Sequence, residues 1–181
     1  MRNFLVRGLI TAAAATLGVF MAGGAAQASV SGPELDPVTN SAEPGTIVIQ
    51  VTKITHAQAT SRLRAASITW SSSGGCSDRN RPNCTSFDQV NLATIQGAET
   101  LRSASGCALN VTGGTETGHA SGTYSHWNGY KLDFSLSSCL TNYIRGNFTS
   151  IGGSKWQSGA GNIYYLESNH WDVTYYNCGG C

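Results

Sequence analysis

The sequence predicts an α+β domain, with a small antiparallel sheet and helices packed on one side of it. Three observations predict it. Two stretches open with capping-box spacing and continue with apolar residues at helical intervals. The second half of the chain carries short runs that alternate apolar and polar residues. The order runs strand, helix, helix, then several strands, with no internal repeat.

Residues 46–52 (Thr-Ile-Val-Ile-Gln-Val-Thr) are rich in β-branched side chains and predict a first strand. Thr55-His56-Ala57-Gln58 matches a capping box, and Ala59, Leu63 and Ala66 follow on one helical face. Ile68-Thr69-Trp70 predicts a strand stub, before a loop from Ser71 to Cys84 rich in turn residues. Ser86-Phe87-Asp88-Gln89 matches a second capping box. Behind it Leu92, Ile95, Ala98 and Leu101 recur every three residues, up to a stop at Gly106.

Residues 108–112 alternate, which sets Leu109 and Val111 on one strand face. After a Gly- and Thr-rich loop at 113–122, Tyr130, Leu132, Phe134 and Leu136 alternate with polar residues. Asp133 then falls on the face opposite the aromatics. Residues 141–148 carry a weak helical signal. Residues 162–167 and 171–176 predict a closing pair of strands joined at Ser168-Asn169.

The first 28 residues read as a secretory signal peptide. Arg2 and Arg7 precede an apolar run from Leu9 to Met21, and Ala26-Gln27-Ala28 has the small-residue pattern of a cleavage site. Cleavage there leaves 153 residues (181 minus 28), enough for one domain. Residues 29–45 are polar and interrupted by Pro33, Pro37 and Pro44, which reads as a flexible leader before a domain at 46–181. A net charge of +1 with 12% charged residues gives no electrostatic basis for a nucleic-acid or membrane partner. The expected state is a secreted, extracellular monomer.

Six cysteines in a secreted chain suggest three disulfides. The expected pairs are Cys76–Cys84, Cys107–Cys139 and Cys178–Cys181. The rival reading of the terminal Cys-Gly-Gly-Cys is half of a zinc ribbon or a redox pair.

The chemistry concentrates in two windows. His126 precedes a strand that carries Asp133, and Glu167-Ser168-Asn169-His170 spans the last turn. Two imidazoles and one carboxylate are a usual complement for a catalytic zinc. His126, Asp133 and His170 are therefore the expected Zn²⁺ ligands, and Glu167 the general base toward an activated water. A second Glu-x-x-His, Glu116 to His119, shows that this spacing alone is a weak signal. His119 is open to three readings: a further ligand, a hydrogen-bond donor to the transition state, or a loop residue. Trp127 and Trp171, each following an expected ligand, are candidate cleft walls or core residues.

His-x-x-Gly-x-x-x-Asp followed by Glu-x-x-His resembles the zinc D-Ala-D-Ala metallopeptidases, a group that includes L-alanyl-D-glutamate endopeptidases. The matching residues are His126, Gly129, Asp133, Glu167 and His170. The resemblance implies the hedgehog/DD-peptidase fold and hydrolysis of peptidoglycan stem peptides, as a carboxypeptidase or an endopeptidase. The family serine two before the first His is here Tyr124, with a serine at Ser125. An arginine that binds substrate in the family is missing from Thr112-Gly113-Gly114-Thr115-Glu116, which leaves Arg102, Arg145 or Lys131 to supply a cation. His119, Ser125, Trp127 and Trp171 are the candidate substrate contacts. The alternatives are a non-catalytic, disulfide-stapled binding module, or a zinc peptidase acting on other peptides.

Overall fold

The computed structural model describes residues 51–176, all within the compact unit that spans Ile47–Cys181. The signal peptide, the leader, most of the strand expected at 46–52 and the Cys178–Cys181 pair lie outside the described residues. Where that expected strand reaches them, Val51 and Thr52 are irregular, and the first strand, β1, is Lys53–Ile54.

The first helix, α1 (His56–Ala65), has the capping box that the sequence predicts. The Thr55 hydroxyl accepts from the Gln58 amide at 3.2 Å, and the Gln58 side chain accepts from the Thr55 amide at 2.9 Å. The strand stub β2 (Thr69–Trp70) follows. The second helix, α2 (Leu92–Ser105), ends on Gly106 in the left-handed conformation. It starts later than Ser86-Phe87-Asp88-Gln89 predicts. The Ser86 hydroxyl accepts from the Asp88 amide in a turn, and β3 (Val90–Asn91) pairs with β1 before the helix begins.

The remaining elements are β4 (Asn110–Gly113), β5 (Lys131–Ser135), α3 (Ser138–Asn147), β6 (Thr149–Gly152), β7 (Lys155–Gln157), β8 (Ile163–Leu166) and β9 (His170–Thr174). Seven strands form one sheet in the order β2-β4-β5-β9-β8-β7-β6, and β1 and β3 form a separate pair. The α+β class holds, but the sheet is larger than expected and is mixed, because β2 runs parallel to β4. Besides β3, the strands that the sequence did not predict are β6 and β7, a hairpin that extends the sheet edge.

One sheet face is the core side. Leu132, Phe134, Trp171, Val173 and Tyr164 are buried there with Ile95, Ala98 and Leu101 of α2 and Leu140 and Ile144 of α3. Tyr175 lies against Gly97, where any Cβ would collide with its ring. Trp171 is fully buried, and its indole N–H donates to the Thr141 hydroxyl at 3.2 Å. Its expected place in a cleft is therefore corrected: it is a core residue. Leu136, expected to continue the buried alternation, lies beyond the end of β5 and is 43% exposed.

Cys76–Cys84 and Cys107–Cys139 are disulfides, as expected from the sequence. They fit an extracellular protein. Among the described residues, no helix is long and apolar enough to cross a membrane.

Candidate metal centre

The opposite sheet face carries the polar residues. Asp133 on β5 stands in register with Asp172 on β9, and Ser135 with His170 at the start of β9. The loop between β4 and β5 folds over this face and brings His126 onto it. Gly129 makes that approach geometrically feasible. Its N–H closes a turn on the His126 carbonyl at 2.7 Å, and its φ is +79°. A Cβ there would stand 2.6 Å from the Gln89 carbonyl oxygen. The Gly129 carbonyl in turn accepts from the Asn91 amide and the Thr94 hydroxyl at 3.1 and 2.7 Å, which docks the loop on the start of α2.

Asp133 Oδ1 is the point of convergence. His126 Nε2 lies 3.3 Å from it and His170 Nε2 3.5 Å. Asp133 Oδ1 is buried and has no hydrogen-bond partner among the described residues. His126 Nδ1 lies 2.7 Å from the Gly114 carbonyl oxygen. A carbonyl only accepts, so Nδ1 carries a proton, and in the neutral imidazole Nε2 presents a lone pair. His170 Nδ1 is likewise 2.8 Å from Asn169 Oδ1. Nε2 of His126 and Nε2 of His170 thus each face Asp133 Oδ1, but the residues whose ligand atoms all lie within 4.8 Å of one another are His119, His126 and Asp133, a group that does not include His170.

The two distances to Asp133 Oδ1 match the separation of ligand atoms on one zinc ion. Bonds of about 2.0–2.1 Å set tetrahedral ligand atoms about 3.3–3.4 Å apart.

His119 also belongs to this centre. Its ring stacks on His126, with centroids 3.8 Å apart and planes inclined by 18°, and its Nδ1 is 3.8 Å from Asp133 Oδ2. His119, His126 and Asp133 each offer a ligand atom within 4.8 Å of the others and could hold a metal ion. His119 Nε2 meets Glu116 Oε1 at 3.1 Å. Glu116 is itself buried and accepts from the Ser86 amide at 2.7 Å and the Gly114 amide at 3.0 Å. Burial pushes its carboxyl up, but these donors outweigh it and the net shift is downward. Burial likewise opposes protonation of His119, yet Glu116 and Asp133 raise it overall.

Glu167 is at the rim of the centre, its Oε2 3.4 Å from His170 Nε2 and its side chain 38% exposed. Trp127 is exposed at the mouth, under the Arg79 guanidinium, and with His119 and Ser125 it lines a depression of about 290 Å³. Ser125 is buried and its hydroxyl accepts from the Asn128 amide, which fixes the loop turn.

Of the three cations considered for the missing arginine, Arg102 on α2 and Arg145 on α3 belong to helices packed on the core face, and Arg145 covers Trp156. Only Lys131 is on the metal face, paired with Asp172 at 2.7 and 2.9 Å. Sequence reasoning missed Asp172, whose Oδ2 is 3.9 Å from His126 Nε2, and Arg79, whose side chain donates to the carbonyls of Thr115 and Trp127. The alternation of β9 puts residue 172 on the same face as His170, a signal that was available for Asp172. The fourth histidine, His56, lies elsewhere and accepts from the Phe87 amide at 3.0 Å.

No family model matches this chain, and no curated protein or solved structure is similar enough to it to count as a match.

Proposed function

We propose that the protein is a secreted zinc metallopeptidase that hydrolyses peptide bonds in peptidoglycan stem peptides, with His126, Asp133 and His170 as the ligands. The observation that carries this reading is the approach of two imidazole Nε2 atoms, 3.3 and 3.5 Å away, to the buried Asp133 Oδ1. The choice of His170 over His119 is supported by which Asp133 oxygen each imidazole faces. His126 Nε2 and His170 Nε2 approach the same Asp133 oxygen, Oδ1, whereas the ring of His119 is stacked on His126 and its Nδ1 faces the other oxygen, Oδ2, at 3.8 Å; His126, Asp133 and His170 would therefore hold the ion.

Zinc bound there supplies a Lewis acid for the scissile carbonyl and the attacking water. Glu167 is the general base: it borders the centre, is open to solvent, and passes the proton to the leaving amine. Asp172 is less suited to that task because the Lys131 ammonium holds both of its oxygens. Gly114 and Asn169 orient the two imidazoles through their Nδ1 atoms. The peptidoglycan substrate rests on the resemblance of the two sequence windows to zinc D-Ala-D-Ala metallopeptidases.

The test is digestion of purified peptidoglycan by the zinc-loaded protein, with the released amino and carboxyl ends identified. New ends made by the parent and not by Glu167→Ala support the reading. A protein that binds zinc yet releases no ends, while cleaving casein, is a peptidase with another substrate. One that cleaves neither is a binding module.

A further inference from the structure

The metal face continues past the candidate centre as a groove. Asp133, Asp172, Tyr165 and Lys155 are successive cross-strand partners on β5, β9, β8 and β7, so they form one row on one face. The groove occupies about 380 Å³ and begins at Lys131 and Asp172, beside the metal ligands. Ile163 and Tyr165 form its floor, with Tyr124 and Tyr176 also lining it. Tyr124 packs edge-on against both Tyr130 and Tyr176, yet is still 48% exposed.

The two lysines of the groove differ. Lys131 is neutralised by Asp172. Lys155 lies over the Tyr165 ring, 4.9 Å from its centroid, and pairs with no carboxylate among the described residues. Its charge is therefore available at the far end of an aromatic channel whose near end is the reacting centre. Three strand spacings of about 4.8 Å put the row from Asp133 to Lys155 at about 14 Å. Less the reach of the lysine side chain, that is the span of two or three extended residues.

Building on the peptidase reading, we propose that this groove is the specificity site for an extended peptide substrate. It takes a substrate with a free carboxylate two or three residues from the scissile bond, which pairs with Lys155. The tyrosines flank the intervening chain, and the ammonium selects acidic over amidated peptides.

The experiment uses two stem pentapeptides that differ only in whether the α-carboxylate of the γ-linked D-glutamyl residue is free or amidated. Their hydrolysis and their binding to the zinc-loaded Glu167→Ala protein are both measured. The parent should favour the free acid about tenfold in kcat/KM, with the difference in KM. Lys155→Met should bring that ratio close to one, and Lys155→Arg should keep it. An equal KM for the two peptides in the parent, or an unchanged ratio in Lys155→Met, overturns the proposal. Carboxylate-dependent binding without any hydrolysis would remove the peptidase reading and leave the groove assignment standing. Hydrolysis and binding indifferent to the carboxylate would do the reverse.

Discussion

Gly113 lies directly against the Asp133 carboxylate. The two residues are cross-strand partners beside an irregularity in the β4–β5 pairing, and a Cβ at position 113 would overlap Asp133 Oδ2 and stand 3.0 Å from its Cγ. The candidate ligand is thus aimed by a missing side chain. Gly113→Ala should turn the carboxylate away from His126 and His170 and weaken zinc binding by about 10–100-fold, the scale seen when groups that orient ligands are altered. Chelator competition on folded protein reads this. Unchanged affinity would show that Asp133 is not held by this contact.

Glu116 gives a pH dependence of defined sign. Its folded carboxyl titrates below the ordinary value of 4.5. The stability it contributes is therefore present above that value and lost as pH falls through the lower folded value. Glu116→Gln keeps one acceptor oxygen for the Ser86 and Gly114 amides but removes the negative charge and the second acceptor, which should cost about 1–3 kcal/mol at pH 7. Urea denaturation of metal-free protein between pH 7 and 3 should show the gap between parent and variant narrowing below 4.5. A constant gap would mean that Glu116 acts by packing rather than by charge.

Glu167→Gln should keep zinc and lose about 10²–10⁴-fold in turnover, the usual contribution of a general base. Zinc content and steady-state rates on one preparation check both halves. Retained turnover would transfer the proton-accepting role to another group, with Asp172 the nearest alternative carboxylate.

Trp171 connects the core to the site. It is buried between Phe134 and Leu166 in register, edge-on to Trp156, and immediately follows His170. Trp171→Ala should cost about 3–5 kcal/mol of stability, measured by chemical denaturation. A loss below 1 kcal/mol would contradict its place at the centre of the core.

How far the fold was legible in the sequence depended on how local each signal was. The Thr55 capping box, the α2 stripe from Leu92 to Leu101, and the alternation around Leu132 and Phe134 are all set by neighbours in the chain. The hairpin of β6 and β7 was not legible, because all four residues of β6 are exposed and an edge strand needs no apolar alternation. The start of α2 was misread at Ser86 because pairing of Val90 and Asn91 with β1 overrides the local capping pattern.

In the site, His126 and Asp133 were readable from residue type and spacing, whereas His119, the third member of the group that could hold a metal ion, was left open among three readings and His170 is not in that group. The link from Glu116 to His119 was seen only as a coincidence of spacing. Its meaning comes from the Ser86 and Gly114 amides, which the fold brings to Glu116 from separate segments.

The central claim is that one ion is held by His126, Asp133 and His170, with His119 beside it and not bound to it. Metal analysis after dialysis against zinc, on the parent and on His126→Ala, Asp133→Asn, His170→Ala and His119→Ala, tests it most directly. The account predicts about one zinc per chain in the parent and in His119→Ala, and little or none in the other three. A parent without zinc, or an ion that is lost in His119→Ala and kept in His170→Ala, would contradict it.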